Sequence, residues 1–376
     1  MTFPGVIGFT ATGFESVRSE FERNFADRGE IGAAFCAYRA GEPVVDLWGG
    51  LADESTGEAW GEDTLAVIFS GSKGLLAVCI LMLVERGALD LETPVCSYWP
   101  EFEKQEIRVR DVVSHTARLP GLDDAVSFEE ILDPRRMARL LARQNRATDP
   151  RTTLTYHPMT FGWLCAELVV RVDGRSFGEF FSAEVAEPLG LDIRFGVPVD
   201  QQHRVANLHL SETWPTITVL SETRMAADPL VRSIWGNPPV LSRQGFPWCR
   251  EDFLAAHIPA AGAVATARSL ARLYANLDRL LSPETRALAV TTLSEGWDPL
   301  LEVPRHFGVG FQLQTELMEY GPPLTAFGHG GAGGSVNGCW PEERVGFSYV
   351  MNLLKDDESD DSRAGALLAA LYDCLP

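Results

Sequence analysis

Lysine is scarce in this chain of 376 residues. Lys73, Lys104 and Lys355 are the only lysines among its 32 basic residues, and arginine supplies all the others. Arginine cannot deprotonate in proteins, whereas lysine can act as a base. In a chain that otherwise uses arginine, a lysine is therefore expected to have a role, such as that of a base, which arginine cannot perform.

Long apolar runs and paired cysteines are also missing. The longest apolar run, Leu75–Val84, is about half of the roughly 20 residues that a membrane-spanning helix needs. Residues Met1–Ser16 contain neither Lys nor Arg and no continuous apolar core, so no signal peptide is expected. The 7 cysteines are dispersed without a Cys-x-x-Cys pair, which favours buried thiols over a disulfide framework. These absences predict a soluble, cytoplasmic protein.

The charge balance narrows the classes of partner. The net charge is −20 and the isoelectric point is near 4.8, so the surface repels phosphate backbones and anionic lipids. We therefore expect neither nucleic acid nor a membrane as partner. The sequence has no His-Glu-x-x-His and no paired Cys/His spacing, so no metal and no cofactor is predicted. A small molecule remains as the expected partner, and the oligomeric state stays open.

The order of the predicted elements indicates an α/β region combined with an all-α region. Strand-like runs at Ile31–Tyr38 and Pro43–Leu51 form a probable hairpin around Ala40-Gly41. Residues 88 to about 200 are mostly helical, with helical spacing at Phe161–Val172 among other segments. Further strand signals and a closing helix follow at Gly308–Leu313, Leu324–His329, Val345–Leu353 and Ala364–Tyr372. This order predicts an antiparallel sheet built from both chain ends and flanked by helices, with a helical domain inserted. The predicted boundaries are 1–87 with 258–376 for the α/β domain and 88–257 for the helical domain. The helical domain includes a long Trp- and Pro-rich loop over 211–250.

The first chemical motif is Ser70-Gly71-Ser72-Lys73 at the start of an apolar helix. Residues three apart on a helix lie on one face, with Cβ atoms roughly 5–6 Å apart, so Lys73 can reach the Ser70 hydroxyl. Burial and the positive end of the helix dipole both lower a lysine pKa from about 10.4 towards neutrality. The motif thus predicts a Ser70 nucleophile with Lys73 as its base, although Ser-x-x-Lys is short and frequent by chance.

Two further motifs follow in the chain, Tyr156-His157-Pro158 and Phe327-Gly328-His329-Gly330-Gly331-Ala332. The three motifs in this order resemble the serine β-lactamases and penicillin-binding proteins. The chain is most similar to the family VIII carboxylesterases and class C β-lactamases within them. This resemblance covers almost the whole chain and implies the β-lactamase/transpeptidase-like fold.

The resemblance also implies roles for single residues. Tyr156 matches the family tyrosine that relays protons to the leaving group, and the backbone N–H groups of Ser70 and Ala332 match the oxyanion hole. His329 stands where the family has the lysine of Lys-Thr-Gly, and Pro158 stands where it has an asparagine. Both departures favour a neutral ester over a β-lactam. The residues expected to bind substrate are His329, Gly330, Gly331, His157, Trp235 and Trp248.

The predicted function is therefore a serine carboxylesterase that hydrolyses short-to-medium acyl esters through an acyl-enzyme on Ser70. Three alternatives remain open. One is an amide hydrolase or acyltransferase on the same scaffold, and another is a β-lactamase or D-alanyl-D-alanine peptidase. The third is a catalytically silent scaffold protein.

Overall fold

Antiparallel strands from both halves of the chain form the centre of the structure. The structure is a computed structural model, and it describes residues 5–212, 214, 220–355 and 362–376. The strands are β1 (Ile7–Thr10), β2 (Gly32–Arg39), β3 (Glu42–Asp53), β4 (Glu58–Ala59), β5 (Ala66–Val67), β6 (Ile193–Phe195), β7 (His209–Leu210), β8 (Ala263–Ala265), β9 (Ser294–Asp298), β10 (Val303–Phe307), β11 (Gln312–Leu313), β12 (Phe327–Gly331), β13 (Ser335–Trp340), β14 (Val345–Met351) and β15 (Leu353–Leu354). The large sheet has the order β1-β3-β2-β14-β13-β12-β11-β10-β9, and β4 pairs with β3. Its two halves meet where β2 pairs with β14, with Ala34 opposite Val350.

Helices cover the sheet and fill the segment between its two halves. They are α1 (Glu15–Asp27), α2 (Ser72–Glu85), α3 (Val109–Val113), α4 (Pro134–Arg143), α5 (Thr160–Asp173), α6 (Phe177–Phe181), α7 (Glu187–Leu189), α8 (Glu222–Ala227), α9 (Pro229–Trp235), α10 (Glu251–Ala255), α11 (Ala267–Ala275), α12 (Pro283–Ala289) and α13 (Ser362–Asp373). A 3₁₀ turn, Phe69–Gly71, leads directly into α2. None of the helices in the described ranges is long and apolar enough to cross a membrane.

Helix α2 runs through the core because its residues are apolar on every side. All residues from Ser72 to Leu83 are buried, and the helix packs against α5. Just after the helix, Gly87 lies in the left-handed region with φ of 66°, a conformation that is common where helices end. The helix therefore carries Lys73 in its first turn into surroundings from which solvent is excluded.

A small sheet, β5-β8-β6, fixes the chain on either side of Ser70. The Ile68 N–H donates to the Ala263 carbonyl at 3.0 Å, and the Ala263 N–H donates to Ser72 Oγ at 3.1 Å. These two bonds hold the first residue of β8 against the start of α2. Residues far apart in sequence thereby meet at the nucleophile.

Several elements differ from the sequence-based expectation. The loop predicted over 211–250 contains α8 and α9, and residues 213 and 215–219 of it lie outside the described part of the chain. Several further elements were not predicted, among them strands β1, β6, β8, β9, β10 and β13 and helices α1 and α12. The ten-stranded sheet lies wholly within 1–87 and 258–376, and α3 to α10 lie within 88–257. The domain boundaries themselves stay a prediction.

Candidate active site

Ser70 lies at the centre of the 3₁₀ turn, immediately after a residue with an unusual backbone. Phe69 has φ of 45°, a left-handed value that costs an L-amino acid roughly 1–2 kcal/mol. Its buried ring packs edge-on against Trp248, with ring centroids 5.1 Å apart. Gly71 follows Ser70, and a Cβ there would lie 2.8 Å from the Asn337 side-chain nitrogen, so that side chain would have to move. Packing on both sides thus fixes the turn that presents Ser70.

Lys73 faces Ser70 from the first turn of α2. Its Nζ lies 3.0 Å from Ser70 Oγ and donates to the Ala260 carbonyl at 3.1 Å. The side chain is 0% exposed, and this burial lowers the lysine pKa well below its ordinary value. A neutral amine here can donate one N–H to Ala260 while its lone pair accepts the Ser70 proton.

The scarcity of lysine does not by itself single out Lys73. Lys104 donates to the carbonyls of Leu141 and Ala142, and Lys355 donates to the carbonyl of Arg28. Each lysine therefore binds a main-chain carbonyl. Lys73 is distinguished by full burial and by its contact with a serine hydroxyl.

Tyr156 is held beside Lys73 by a residue that the sequence did not indicate. The Tyr156 N–H donates to the Asp298 carboxylate at 2.8 Å, and that carboxylate also accepts the N–H groups of Leu300 and Leu301. Lys73 Nζ lies 4.9 Å from the centroid of the Tyr156 ring. Asp298 ends β9, so a turn at the edge of the large sheet positions the tyrosine.

A guanidinium and two histidine rings surround Tyr156 from further elements. Arg305 lies over the Tyr156 ring at 5.9 Å and is paired with Glu319 at 3.0 Å. The ring of His115 lies 4.9 Å from that of Tyr156, and the ring of His329 lies 6.1 Å from it. Neither His115 nor Arg305 is among the site residues predicted from the sequence.

His157 occupies a different environment from the one predicted for it. Its backbone N–H donates to His115 Nδ1 at 3.0 Å, its Nδ1 donates to the Thr155 carbonyl at 2.6 Å, and its Nε2 accepts the Leu119 N–H at 3.1 Å. Burial lowers the His157 pKa to about 4, so the ring is neutral. Both ring nitrogens are engaged with the backbone and the side chain is fully buried. This placement does not support contact between His157 and a substrate.

Strand β12 brings His329, Gly330 and Gly331 alongside the turn that carries Ser70. A Cβ on Gly331 would lie 2.3 Å from the Ile68 carbonyl oxygen, so only glycine permits this approach. A Cβ on Gly330 would meet nothing closer than 3.7 Å. His329 is buried, and its Nδ1 donates to the Gly330 carbonyl at 2.8 Å. Burial also lowers the His329 pKa well below its ordinary value, which leaves the ring neutral.

A narrow cavity of about 30 Å³ opens beside Ser70. Ser70 and Ala332 border it, and Trp235, Trp248 and Met159 contribute to its apolar wall. Among the main-chain hydrogen bonds between described residues outside regular helices and strands, none has the Ala332 N–H as its donor. The structure thus brings together Ser70, the two predicted oxyanion donors and both predicted tryptophans. Trp248 is itself buried, with its indole N–H donating to the Val240 carbonyl at 2.7 Å.

A second serine also stands in a motif typical of hydrolases. Residues 174–178 read Gly-Arg-Ser-Phe-Gly, the Gly-x-Ser-x-Gly pattern of α/β-hydrolases. Ser176, however, is the N-cap of α6 and donates to Glu179 at 2.7 Å, and α5 rather than a strand precedes it. The strand–turn–helix context that the motif requires is therefore not present at this serine.

Comparison with protein families gives a match over most of the chain. The family described as Beta-lactamase matches residues 18–372. The chain belongs to the β-lactamase family. This membership confirms the predicted resemblance, the predicted fold and the assignment of the chain as a serine hydrolase.

Individual members of the β-lactamase family are similar over nearly the full length. "Esterase/beta-lactamase LipL" of Mycobacterium tuberculosis is 35% identical over 374 residues, covering 93% of this chain and 83% of LipL. A penicillin-binding protein homologue from Caulobacter crescentus is 33% identical with a TM-score of 0.88, covering 98% of this chain and 100% of its own. A family VIII carboxylesterase is 30% identical with a TM-score of 0.87 and the same coverage of both chains.

Proposed function

We propose that this member of the β-lactamase family is a carboxylesterase that forms an acyl-enzyme on Ser70. The observation that carries the proposal is the 3.0 Å approach of a buried Lys73 amine to the Ser70 hydroxyl, at the mouth of an apolar cavity. A serine hydroxyl is a weak nucleophile unless an adjacent base removes its proton. Burial gives Lys73 that ability, because it lowers the amine pKa.

In the proposed acylation, Lys73 accepts the Ser70 proton while Ser70 Oγ attacks the ester carbonyl. The Ser70 and Ala332 N–H groups donate to the oxyanion, a type of stabilisation worth about 2.7–4 kcal/mol for one donor in other serine hydrolases. As the bond between the ester carbonyl carbon and the alcohol oxygen breaks, Tyr156 donates its hydroxyl proton to the departing alkoxide and recovers a proton from the Lys73 ammonium. Water hydrolyses the acyl-enzyme by the reverse relay, returning the proton to Ser70.

The surroundings of the site support an uncharged substrate. The family lysine on β12 is replaced by His329, which is buried and neutral, and the family asparagine is replaced by Pro158. Arg305 lies over the Tyr156 ring, and its charge is paired with Glu319. A β-lactam carboxylate would therefore lack the lysine that binds it in related enzymes, whereas an ester needs no such partner.

The size of the cavity supports a short acyl group. Its volume of about 30 Å³ is far below the roughly 300–1,000 Å³ of sites that hold drug-sized ligands. Within the predicted range of short-to-medium esters, we therefore place the preferred substrates at the short end. The printed descriptions of LipL and of the family VIII carboxylesterase, which name esterases, agree with ester hydrolysis.

β-Lactam hydrolysis is the second candidate, because LipL is described as both an esterase and a β-lactamase. The test measures kcat/KM for p-nitrophenyl butyrate and for nitrocefin, with the wild type and Ser70→Ala prepared together. Ester turnover that exceeds nitrocefin turnover and falls at least about 10³-fold in Ser70→Ala supports the proposal. Equal or greater nitrocefin turnover would favour a β-lactamase. Ester turnover that survives in Ser70→Ala would contradict the nucleophile.

A further inference from the structure

A second and larger cavity lies away from Ser70. Its volume is about 470 Å³, within the range of small-molecule sites, and it shares no lining residue with the cavity at Ser70. It is enclosed by the C-terminal end of α11, by α12, and by the turns that connect β2 with β3 and β13 with β14. We call it the arginine-rimmed cavity, and define it by Leu277, Arg279, Arg286, Phe327, Trp340 and Arg344.

The floor of the arginine-rimmed cavity is apolar. Leu277, Leu281, Phe327 and Trp340 are buried side chains that line it. Each Å² of apolar ligand area that such a surface removes from water contributes about 25 cal/mol to the free energy of binding. The floor therefore suits a hydrocarbon chain.

The rim of the cavity is positively charged. Arg279, Arg286 and Arg344 are exposed and, within the described part of the chain, none of them lies within 4.0 Å of a carboxylate. Most other arginines form an ion pair, as expected in a chain with a net charge of −20. Asp278 is the one acidic residue among the lining residues, so the rim keeps an excess of positive charge.

Two of these arginines have a defined relation to the cavity. Arg286 acts electrostatically on the thiol of Cys339 in the cavity wall, where it opposes the increase in thiol pKa caused by burial. Arg344 has φ of 56°, a left-handed value, and its carbonyl accepts the Ala40 N–H at 2.8 Å. The β2–β3 turn thus holds Arg344 in a conformation that costs a residue with a side chain roughly 1–2 kcal/mol.

We propose that the arginine-rimmed cavity binds a carboxylate that carries an apolar chain, with the carboxylate at the arginines and the chain on the apolar floor. Guanidinium groups bind carboxylates through paired hydrogen bonds, and unpaired ones remain available to do so. The proposal concerns binding alone and does not depend on the reaction at Ser70.

Calorimetric titration with octanoate tests this proposal. Octan-1-ol is the comparison ligand that has the apolar chain without the charge, and acetate is the one that has the charge without the chain. We expect octanoate to bind the wild type with a Kd on the order of 1 mM or tighter, and both comparison ligands to bind more weakly. The double substitution Arg286→Gln with Arg344→Gln should weaken octanoate binding at least about tenfold. Arg135→Gln is the matched control, because Arg135 is an exposed arginine of α4 without an ion pair in the described structure and outside the cavity.

Ala287→Trp supplies a second and independent variant. Ala287 lines the cavity on the exposed face of α12, so an indole there should fill the cavity without disturbing the core. Octanoate binding should be lost in Ala287→Trp and retained in Ser70→Ala, which separates this site from the proposed esterase site. Octanoate binding that is absent in the wild type, or that is unchanged in both the double arginine variant and Ala287→Trp, would overturn the proposal.

Discussion

Replacing Trp235 with alanine should lengthen the acyl chain that the enzyme accepts. Trp235 is the half-buried last residue of α9 and forms part of the wall of the 30 Å³ cavity at Ser70. Each additional methylene that becomes buried contributes about 0.8 kcal/mol. Two methylenes therefore contribute about 1.6 kcal/mol, or about 15-fold in kcat/KM.

The assay compares kcat/KM for p-nitrophenyl hexanoate and p-nitrophenyl butyrate, which differ by two methylenes. We expect the hexanoate-to-butyrate ratio to rise about 15-fold in Trp235→Ala. Trp297→Ala is the control, because Trp297 is 60% exposed on β9 and does not line the cavity. The rings of Trp235 and Tyr156 are 6.5 Å apart, so the substitution can also disturb the tyrosine. A fall in both rates with an unchanged ratio would refute the acyl-pocket reasoning.

Three further predictions concern the base, β12 and the buried histidine. Lys73→Arg should lower kcat/KM about 10²–10⁴-fold, because arginine cannot accept the Ser70 proton. The wild-type kcat/KM should rise with pH and reach its plateau below the ordinary lysine pKa, since burial lowers the pKa of Lys73; a rise centred at about 10.4 would contradict the assigned base. Gly331→Ala should reduce ester turnover by at least about 10²-fold, because its Cβ would displace β12 from the turn at Ser70, whereas Gly330→Ala should keep most of it; equal losses would contradict the steric argument. The pKa of His157 is about 4 in the folded protein and about 6.5 in the unfolded chain. The neutral ring therefore makes its full contribution to the free energy of unfolding above pH 6.5, and this contribution decreases by up to about 3 kcal/mol as the pH falls to 4. Urea unfolding at both pH values should therefore show the difference between wild type and His157→Asn shrinking in acid, and a constant difference would contradict the neutral buried ring.

Helices were the part of the fold that local sequence could predict. The predicted helix at Phe161–Val172 corresponds to α5, and the predicted closing helix at Ala364–Tyr372 corresponds to α13. Both carry apolar residues at helical spacing, which is a local signal. The hairpin of β2 and β3 was also predicted, because Ala40-Gly41 separates two strand-like runs.

The strands that were missed depend on distant partners. β9 has the sequence Ser-Glu-Gly-Trp-Asp, and most of its side chains are exposed, since it forms one edge of the large sheet. β13 begins immediately after Gly333 and Gly334, and the glycine-rich sequence obscured its start. Such strands exist because their neighbours supply the hydrogen bonds, so their own residues carry little information.

In the active site as well, contacts within one turn were predictable from the sequence, whereas contacts between distant residues were not. Ser70 and Lys73 share one helical turn, and their proximity follows from a spacing of three. Asp298 reaches Tyr156 across 142 residues, and no local pattern marks it. His157 was misplaced for a related reason, because its neighbour Tyr156 faces the site while its own ring is bound to the backbone at Leu119.

The pairing of β2 with β14 has a consequence for how the protein is made. A ribosome delivers β2, β3 and the Ser70 turn long before β14, which lies between β2 and the rest of the sheet. Until then the nascent chain exposes an unpaired edge of β2, most of whose residues are buried in the finished protein. Late pairing between distant segments is slow and exposes apolar surface to aggregation. Recombinant yield should therefore depend on translation speed and chaperone supply more strongly than the stability of the finished enzyme would suggest.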